Sequence, residues 1–232
     1  MHLDKLRIGG IPAILWGDPS DHMIIATHGS HSSKIDDCMW VLAKEATRRG
    51  YQVLSFDLPQ HGERVYETGF IMPDECVREL RLMHSFAAEH AQEVSLFGCS
   101  MGAYFELLAF AETPIDRAWF LSPVTNMERI IHNLMGYCHL TEESFRRQIL
   151  VDNDIEPLYY PYYEYVRSHP ITRWEHETFI LRGERDTMCE YDVVRDFAGE
   201  FGCELTQQEG GGHWFHTEAE LELCREWIGT RR

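Results

Sequence analysis

Short apolar runs of strand length alternate along this chain with stretches whose apolar residues recur at helical spacing, and this alternation constrains the fold more than any other feature. Residues 6–16 read as a hairpin broken at Gly9 and Gly10, and residues 22–27 as an apolar strand that ends abruptly in His28 and Gly29. Over residues 36–49, Met39, Trp40, Leu42, Ala43 and Ala46 follow helical spacing closed by Gly50, and residues 52–56 form the next buried strand. The unit then repeats as helix 73–89, strand 94–97, helix 101–111 and strand 117–121. Strands separated by helices are joined by crossovers, so the pattern predicts an α/β fold with a doubly wound, mostly parallel sheet.

The alternation lapses after Pro123 and resumes with a strand over 178–182, a helix over 191–201, a strand over 204–208 and a last helix over 218–228. No internal repeat or low-complexity linker marks a second domain. At 232 residues the expectation is one core, residues 1–124 and 173–232, interrupted by a helical cap insertion over 125–172.

Twenty-one basic against 38 acidic residues give a net charge of −17, which repels phosphate backbones and anionic surfaces. Nucleic acid and membrane partners are therefore not expected, and no apolar run approaches the ~20 residues that span a bilayer. The seven cysteines are scattered, odd in number and free of any CxxC pair, which favours reduced thiols and a cytoplasmic setting over a disulfide framework or zinc knuckle.

The segment Val94-Ser-Leu-Phe-Gly98-Cys-Ser100-Met-Gly102-Ala runs from a strand through G-x-S-x-G into a helix, the order of a nucleophile elbow. Glycines at both ends remove side chains where a strained turn crowds its neighbours, and Ser100 stands at the carboxyl end of its strand. A serine hydroxyl needs a base to take its proton. His213 follows the strand ending near Gln208 and the small residues Gly210 to Gly212, which suit a loop that brings an imidazole across the sheet edge. The acid that orients such a base lies between serine and histidine in this chain order, and Asp186 follows the apolar strand and the turn at Gly183; Glu184 and Asp192 are the neighbouring alternatives. Cys99 and Cys189 read as packing residues. His213-x-x-His216 lacks the further ligands a zinc site needs, so neither metal nor cofactor is expected.

Elbow, acid and histidine in this order, with His28-Gly29 after one early strand and Asp57-Leu-Pro-Gln-His61-Gly62 after the next, resemble the α/β-hydrolase superfamily, in particular its small capped esterase and lipase-like members. The resemblance runs from about Met23 to the C-terminus and implies an eight-stranded sheet and metal-independent hydrolysis. It also implies an oxyanion hole from the backbone N–H groups of Met101 and Ser30. The segment from Asp57, with Gln60 where many relatives carry glycine, takes a scaffolding role.

His28 reads as a loop-ordering residue that stands within reach of substrate. The insertion carries five tyrosines between Leu158 and Tyr165; Tyr159, Tyr160 and Tyr163 are candidates to line a substrate pocket, with cap packing or a homodimer contact as the competing roles. Trp119, Trp174 and Trp214 carry the same ambiguity. The expected reaction is cleavage of a small carboxylic ester. Thioester, amide or carbon–carbon bond cleavage would use the same residues, an aminopeptidase would add Glu128 or Glu164, and a non-catalytic binding protein of this fold is the rival from another class.

Overall fold

A parallel strand buried on both faces needs apolar side chains pointing both ways, and that requirement sets the layers of this molecule. The computed structural model describes residues 1–230. Its elements are β1 (Leu3–Ile8), β2 (Ile11–Trp16), β3 (His22–Thr27), α1 (Asp37–Arg48), β4 (Gln52–Phe56), α2 (Pro73–His90), β5 (Glu93–Cys99), α3 (Met101–Phe110) and β6 (Arg117–Leu121). Then come α4 (Met127–Tyr137), α5 (Glu142–Gln148), β7 (Leu150–Val151), β8 (Leu158–Tyr159), α6 (Tyr160–Ser168), β9 (Glu177–Gly183), α7 (Tyr191–Phe201), β10 (Glu204–Gln208) and α8 (Glu218–Thr230).

Eight strands form one sheet in the order β1-β2-β4-β3-β5-β6-β9-β10. β1 with β2 and β2 with β4 are antiparallel; every later pairing is parallel. The opening hairpin turns at Gly9 and Gly10, at φ +57° and +89°, a pair of left-handed positions that matches the twist of the strands it joins. Successive residues then face opposite layers. Ile25, Leu96, Phe120 and Ile180 pack with α2, α3 and α7, while Ile24, Phe97, Trp119 and Leu181 pack with α1 and α8. The helices start and stop on local signals: Asp36 caps α1 by accepting from Asp37 N–H, Pro73 opens α2, and Gly202 closes α7 in the left-handed conformation.

Parallel pairing brings the functional loops to one edge. Thr27 pairs with Phe56 and Gly98, Cys99 with Leu121, Leu121 with Leu181, and Gly183 with Gln208. The loops after β3, β4, β5, β6, β9 and β10 therefore open on the same side, as ligand-binding crevices of such sheets do.

Between β6 and β9 the chain leaves the sheet. α6 packs on α4 and α2, and Phe145, Leu158, Tyr160, Tyr163 and Val166 extend the apolar layer that holds α2 and α3. The two-residue strands β7 and β8 form a small ribbon there that the periodicity of the sequence does not reveal. The first hairpin begins at Leu3 rather than near residue 6, because polar Asp4 and Lys5 sit on an edge strand.

Candidate active site

The elbow after β5 is built by exclusion. A Cβ at Gly98 would come within 2.6 Å of the Ala103 backbone, and one at Gly102 within 2.4 Å of the Thr27 carbonyl, so strand, helix and β3 close up only because both residues are glycine. Ser100 between them holds φ +48° and ψ −117°, a region L-residues rarely adopt. Its backbone is pinned on both sides: Ser100 N–H donates to Leu121 O at 3.0 Å, and Val124 N–H donates to Ser100 O at 3.1 Å.

Ser100 Oγ lies 3.0 Å from His213 Nε2, and His213 Nδ1 lies 2.9 Å from Asp186 Oδ2. The other carboxylate oxygen of Asp186 accepts from Met188 N–H and Cys189 N–H, each at 2.9 Å. Arg182, at the end of β9, braces this turn by donating to the carbonyls of Asp186 and Cys189 at 2.6 and 2.8 Å. The Asp186 side chain is fully buried, while Ser100 is half-exposed. A buried carboxylate with its lone pairs filled fixes the imidazole tautomer with Nε2 facing the hydroxyl. Such a chain can draw the proton from Ser100 Oγ as that oxygen attacks an electrophile.

The neighbouring acids are engaged elsewhere. Glu184 accepts from Gly210 N–H at 2.9 Å, which holds the loop before His213, and Asp192 pairs with Arg195 on the surface. Asp186, Cys189 and His213 offer donor atoms within 4.8 Å of one another. All three are already used, since the Cys189 thiol donates to Ser122 O at 3.4 Å and burial pushes it well above its ordinary pKa, away from the thiolate a metal favours. His216 turns back to Trp214 O at 3.0 Å.

Met101 is the first residue of α3, so its N–H is among those without an intrahelical acceptor. The loop after β3 packs onto Ser100 closely enough that a Cβ on Gly29 would stand 3.1 Å from Ser100 Cβ, which brings Ser30 to this edge. The Ser30 hydroxyl donates to Glu156 Oε2 at 3.0 Å, and the same oxygen meets His31 Nε2 at 3.0 Å. Glu156 sits on a turn that Asn153 builds, accepting from the N–H groups of Ile155 and Glu156 and donating to Glu156 O. This carboxylate ties the inserted segment to the loop of Ser30, a link invisible in sequence because 126 residues separate the partners.

Three expected substrate contacts move. His28 is fully buried; its Nε2 accepts from Leu58 N–H at 3.1 Å and its Nδ1 donates to Gly29 O at 2.7 Å, so both nitrogens order loops and neither faces a pocket. Burial lowers its pKa from 6.5 to about 4. Tyr160 and Tyr163 are interior to the insertion: both pack edge-on or tilted against Phe145, and Tyr163 Oη bonds His132 Nε2 at 2.9 Å. Apolar area beneath α6 claims them. Tyr159 is half-exposed and stacks on Phe70 at 4.2 Å between ring centres. Phe70 lines an open groove of about 480 Å³ with Gln60, Tyr66, Glu67 and Glu75.

Trp119 and Trp174 are core residues, whereas Trp214 is 60% exposed beside the His213 ring. Glu128 faces His132 and Arg167, each at 3.9 Å. Tyr104 and Tyr162 were not singled out by sequence, yet their buried hydroxyls have no hydrogen-bond partner. Tyr104 lies one turn beyond Met101 on α3, and that position was the available signal. Burial pushes both phenols up, and the charge of Tyr104 adds to the shift of Tyr162.

Asp57 serves as scaffold. Its carboxylate accepts from the N–H groups of Lys34 and Glu63 at 2.9 and 3.0 Å and pairs with the buried Lys34 ammonium. Beneath the elbow, Thr27 Oγ1 donates to Glu106 Oε1 at 2.6 Å, and full burial pushes the Glu106 carboxyl well up.

Eight sheet strands in this order, an elbow after β5 and a histidine loop after the last strand make this the α/β-hydrolase fold. Solved structures agree over nearly the whole chain. Est1E from Butyrivibrio proteoclasticus, with ferulic acid bound, superposes with a TM-score of 0.81 at 18% identity, covering 97% of this chain and 96% of that one. The esterase PF2001 of Pyrococcus furiosus gives 0.71 at 20% identity, covering 98% and 88%. XC6422 from Xanthomonas campestris, a serine hydrolase without a lid, gives 0.68 at 16%, covering 98% and 92%. No family model and no curated protein sequence matches the chain. Among the described residues, no helix is long and apolar enough to cross a membrane.

Proposed function

We propose that this chain is a serine hydrolase that cleaves a small carboxylic ester through an acyl-enzyme. The observation that carries the reading is the unbroken contact chain Ser100 Oγ, His213 and Asp186 at 3.0 and 2.9 Å. Ser100 Oγ attacks the ester carbonyl while its proton passes to His213 Nε2, and Asp186 stabilises the imidazolium that forms. The tetrahedral oxyanion is held by the backbone N–H groups of Met101 and Ser30. His213 returns the proton to the leaving alkoxide as the carbon–oxygen bond breaks. A water molecule then gives a proton to His213 as its oxygen attacks the acyl carbon, and His213 returns that proton to Ser100 Oγ as the bond from the acyl carbon to Oγ breaks and the acid leaves.

Residues 125–172 act as the cap that shapes the acyl pocket, with Tyr159 at its mouth. An aromatic acyl group with a polar end is the preferred one, because half-exposed Tyr159 stacks on Phe70 and Phe70 lines an open groove whose other walls include Gln60, Glu67 and Glu75. The aromatic acid bound by Est1E, a neighbour of the same fold, suits that preference. The test is turnover of p-nitrophenyl esters from acetate to laurate and of hydroxycinnamate esters, by wild-type protein and Ser100→Ala. Turnover lost in the variant, with hydroxycinnamates preferred over alkyl chains of equal length, is the expected result. Equal turnover in both proteins would refute the assignment of Ser100.

A further inference from the structure

The elbow at Ser100 is packed directly against a pair of cysteine thiols that the hydrolytic reading leaves unused. Cys99 immediately precedes Ser100, and its sulfur lies 3.5 Å from the sulfur of Cys38, the second residue of α1. The two come from positions 61 apart, which is why the spacing of cysteines in the sequence gives no sign of them. Cys99 is buried among Ile24, Phe97 and Trp119, whereas Cys38 is half-buried at the margin of the same apolar layer. Cys224 of α8 lies in this layer too and is fully buried. All seven cysteines are free thiols in the structure.

We propose that Cys38 and Cys99 form an oxidation site that closes to a disulfide with hydrogen peroxide and slows the nucleophile next to it. Cys38, the member that solvent reaches, reacts first. Its thiolate attacks one peroxide oxygen, the O–O bond breaks, and the departing hydroxide takes a proton to become water, which leaves a sulfenic acid. The Cys99 sulfur then attacks the Cys38 sulfur, the S–O bond breaks, and hydroxide leaves with the thiol proton as a second water. Two thiols and one peroxide give one disulfide and two waters. The two electrons come from the sulfur pair.

Closure requires the sulfurs to approach from 3.5 Å to about 2.05 Å. Cys99 is the last residue of β5 and Cys38 belongs to the first turn of α1, so the movement is shared between a strand end and a helix start. Ser100 has little room to absorb its share, because its backbone is pinned to Leu121 and Val124 and Gly29 abuts its Cβ. A displacement of even a fraction of an ångström in the Oγ to Nε2 contact is felt in the rate. The effect on Ser100 rests on the hydrolase reading; the cross-link itself does not.

The experiment treats the full-length protein with millimolar hydrogen peroxide, maps disulfide-linked peptides by mass spectrometry, and follows labelling of Ser100 by a fluorophosphonate before and after. The expected result is a linked peptide pair containing Cys38 and Cys99, a mass loss of about 2 Da that dithiothreitol reverses, and labelling slowed roughly tenfold in the oxidised form. Cys38→Ala abolishes the link and the slowing, and Cys224→Ala leaves both in place. A link to Cys224 instead, or no link in the folded protein, overturns the site. Equal labelling rates in the reduced and linked forms overturn the control of Ser100. Failure of the reduced protein to label at all counts against the hydrolase reading, and the site is then decided by the peptide map.

Discussion

The edge where β5 and its parallel neighbours end and the segment between β6 and β9 hold their side chains in place by different means. At the edge, position is over-determined: the packing admits only glycine at 98 and 102, the Ser100 backbone bonds on both sides, and every lone pair of Asp186 in use is directed by a backbone N–H or by His213. The inserted segment instead rests on side-chain packing, an aromatic cluster around Phe145 that continues the apolar layer of α2 and α3, and reaches the loop of Ser30 through the carboxylate of Glu156. The edge is fixed by backbone hydrogen bonds and the insertion by side-chain packing. Machinery for bond cleavage belongs on the first and selection among substrates on the second.

That contrast is broken most directly at Asp186. Asp186→Asn preserves the side-chain shape and can still accept from Met188 and Cys189 N–H, but an amide facing Nδ1 favours the wrong imidazole tautomer. The expected outcome is a fall in ester turnover of about 10⁴ with thermal stability close to wild type. A loss of less than tenfold would show that the rigid edge is scaffold rather than machinery.

The next effect is on stability and comes from His28. Its pKa is depressed from 6.5 to about 4 in the folded protein, so the unfolded chain binds the proton first as pH falls. The contribution is fully present above pH 6.5 and is lost progressively toward pH 4, a change of about 3 kcal/mol at its limit. His61, Asp57 and Asp36 face this ring and set the remaining charge around it. Urea unfolding between pH 7.5 and pH 4 should show this component in wild type and not in His28→Gln, which keeps an acceptor for Leu58 N–H. Parallel pH profiles for the two proteins would contradict the assignment.

How much of this was legible follows the same division. Strands β3, β4 and β10 and helix α7 match their sequence bounds because each is a compact apolar run or clean helical period between turn residues. That Ser100, Asp186 and His213 would meet was legible because parallel strands deliver their following loops to one edge, whatever their separation in the chain. The tyrosines were not. Periodicity shows that a side chain is apolar and not which surface it meets, so Tyr160 and Tyr163, buried against Phe145, looked the same as Tyr162, whose hydroxyl has no partner. Glu106 was hidden for another reason: nothing on a short apolar helix marks a glutamate as bound to Thr27 on a strand 79 residues away.

Glu106 supplies a smaller test of the rigid region. Burial pushes its carboxyl well above the ordinary range, so its contribution to stability is greatest in acid and is lost as pH rises above the unfolded value toward the folded one. Glu106→Gln removes that titration while offering an acceptor to Thr27 and two donors near the orphaned Oε2 position. The melting temperature at pH 8 should rise by about 2–4 °C, with the gain shrinking at pH 5. A variant less stable than wild type at both pH values would mean that Oε2 is already served by its own proton.

The smallest effect sharpens the comparison at the one place where the two regions meet. Glu156 accepts from Ser30 Oγ and faces His31, and its side chain is 43% exposed, so water competes for it and the contact contributes little to stability. Its value lies in position: it sets how the inserted segment rests on the loop of Ser30, the residue proposed to supply the second oxyanion donor. Glu156→Ala should therefore leave the melting temperature unchanged within about 1 °C. It should raise KM for bulky aromatic esters about two- to fivefold and leave kcat on an acetate ester close to wild type, because loss of positioning without loss of a donor weakens binding of the larger acyl group alone. Glu156→Gln, which keeps an acceptor for Ser30, should restore most of the binding. A fall in kcat on acetate as large as that on the aromatic ester would place Glu156 with the groups of the edge, and the division between the edge and the inserted segment would then run through the Ser30 loop instead of beside it.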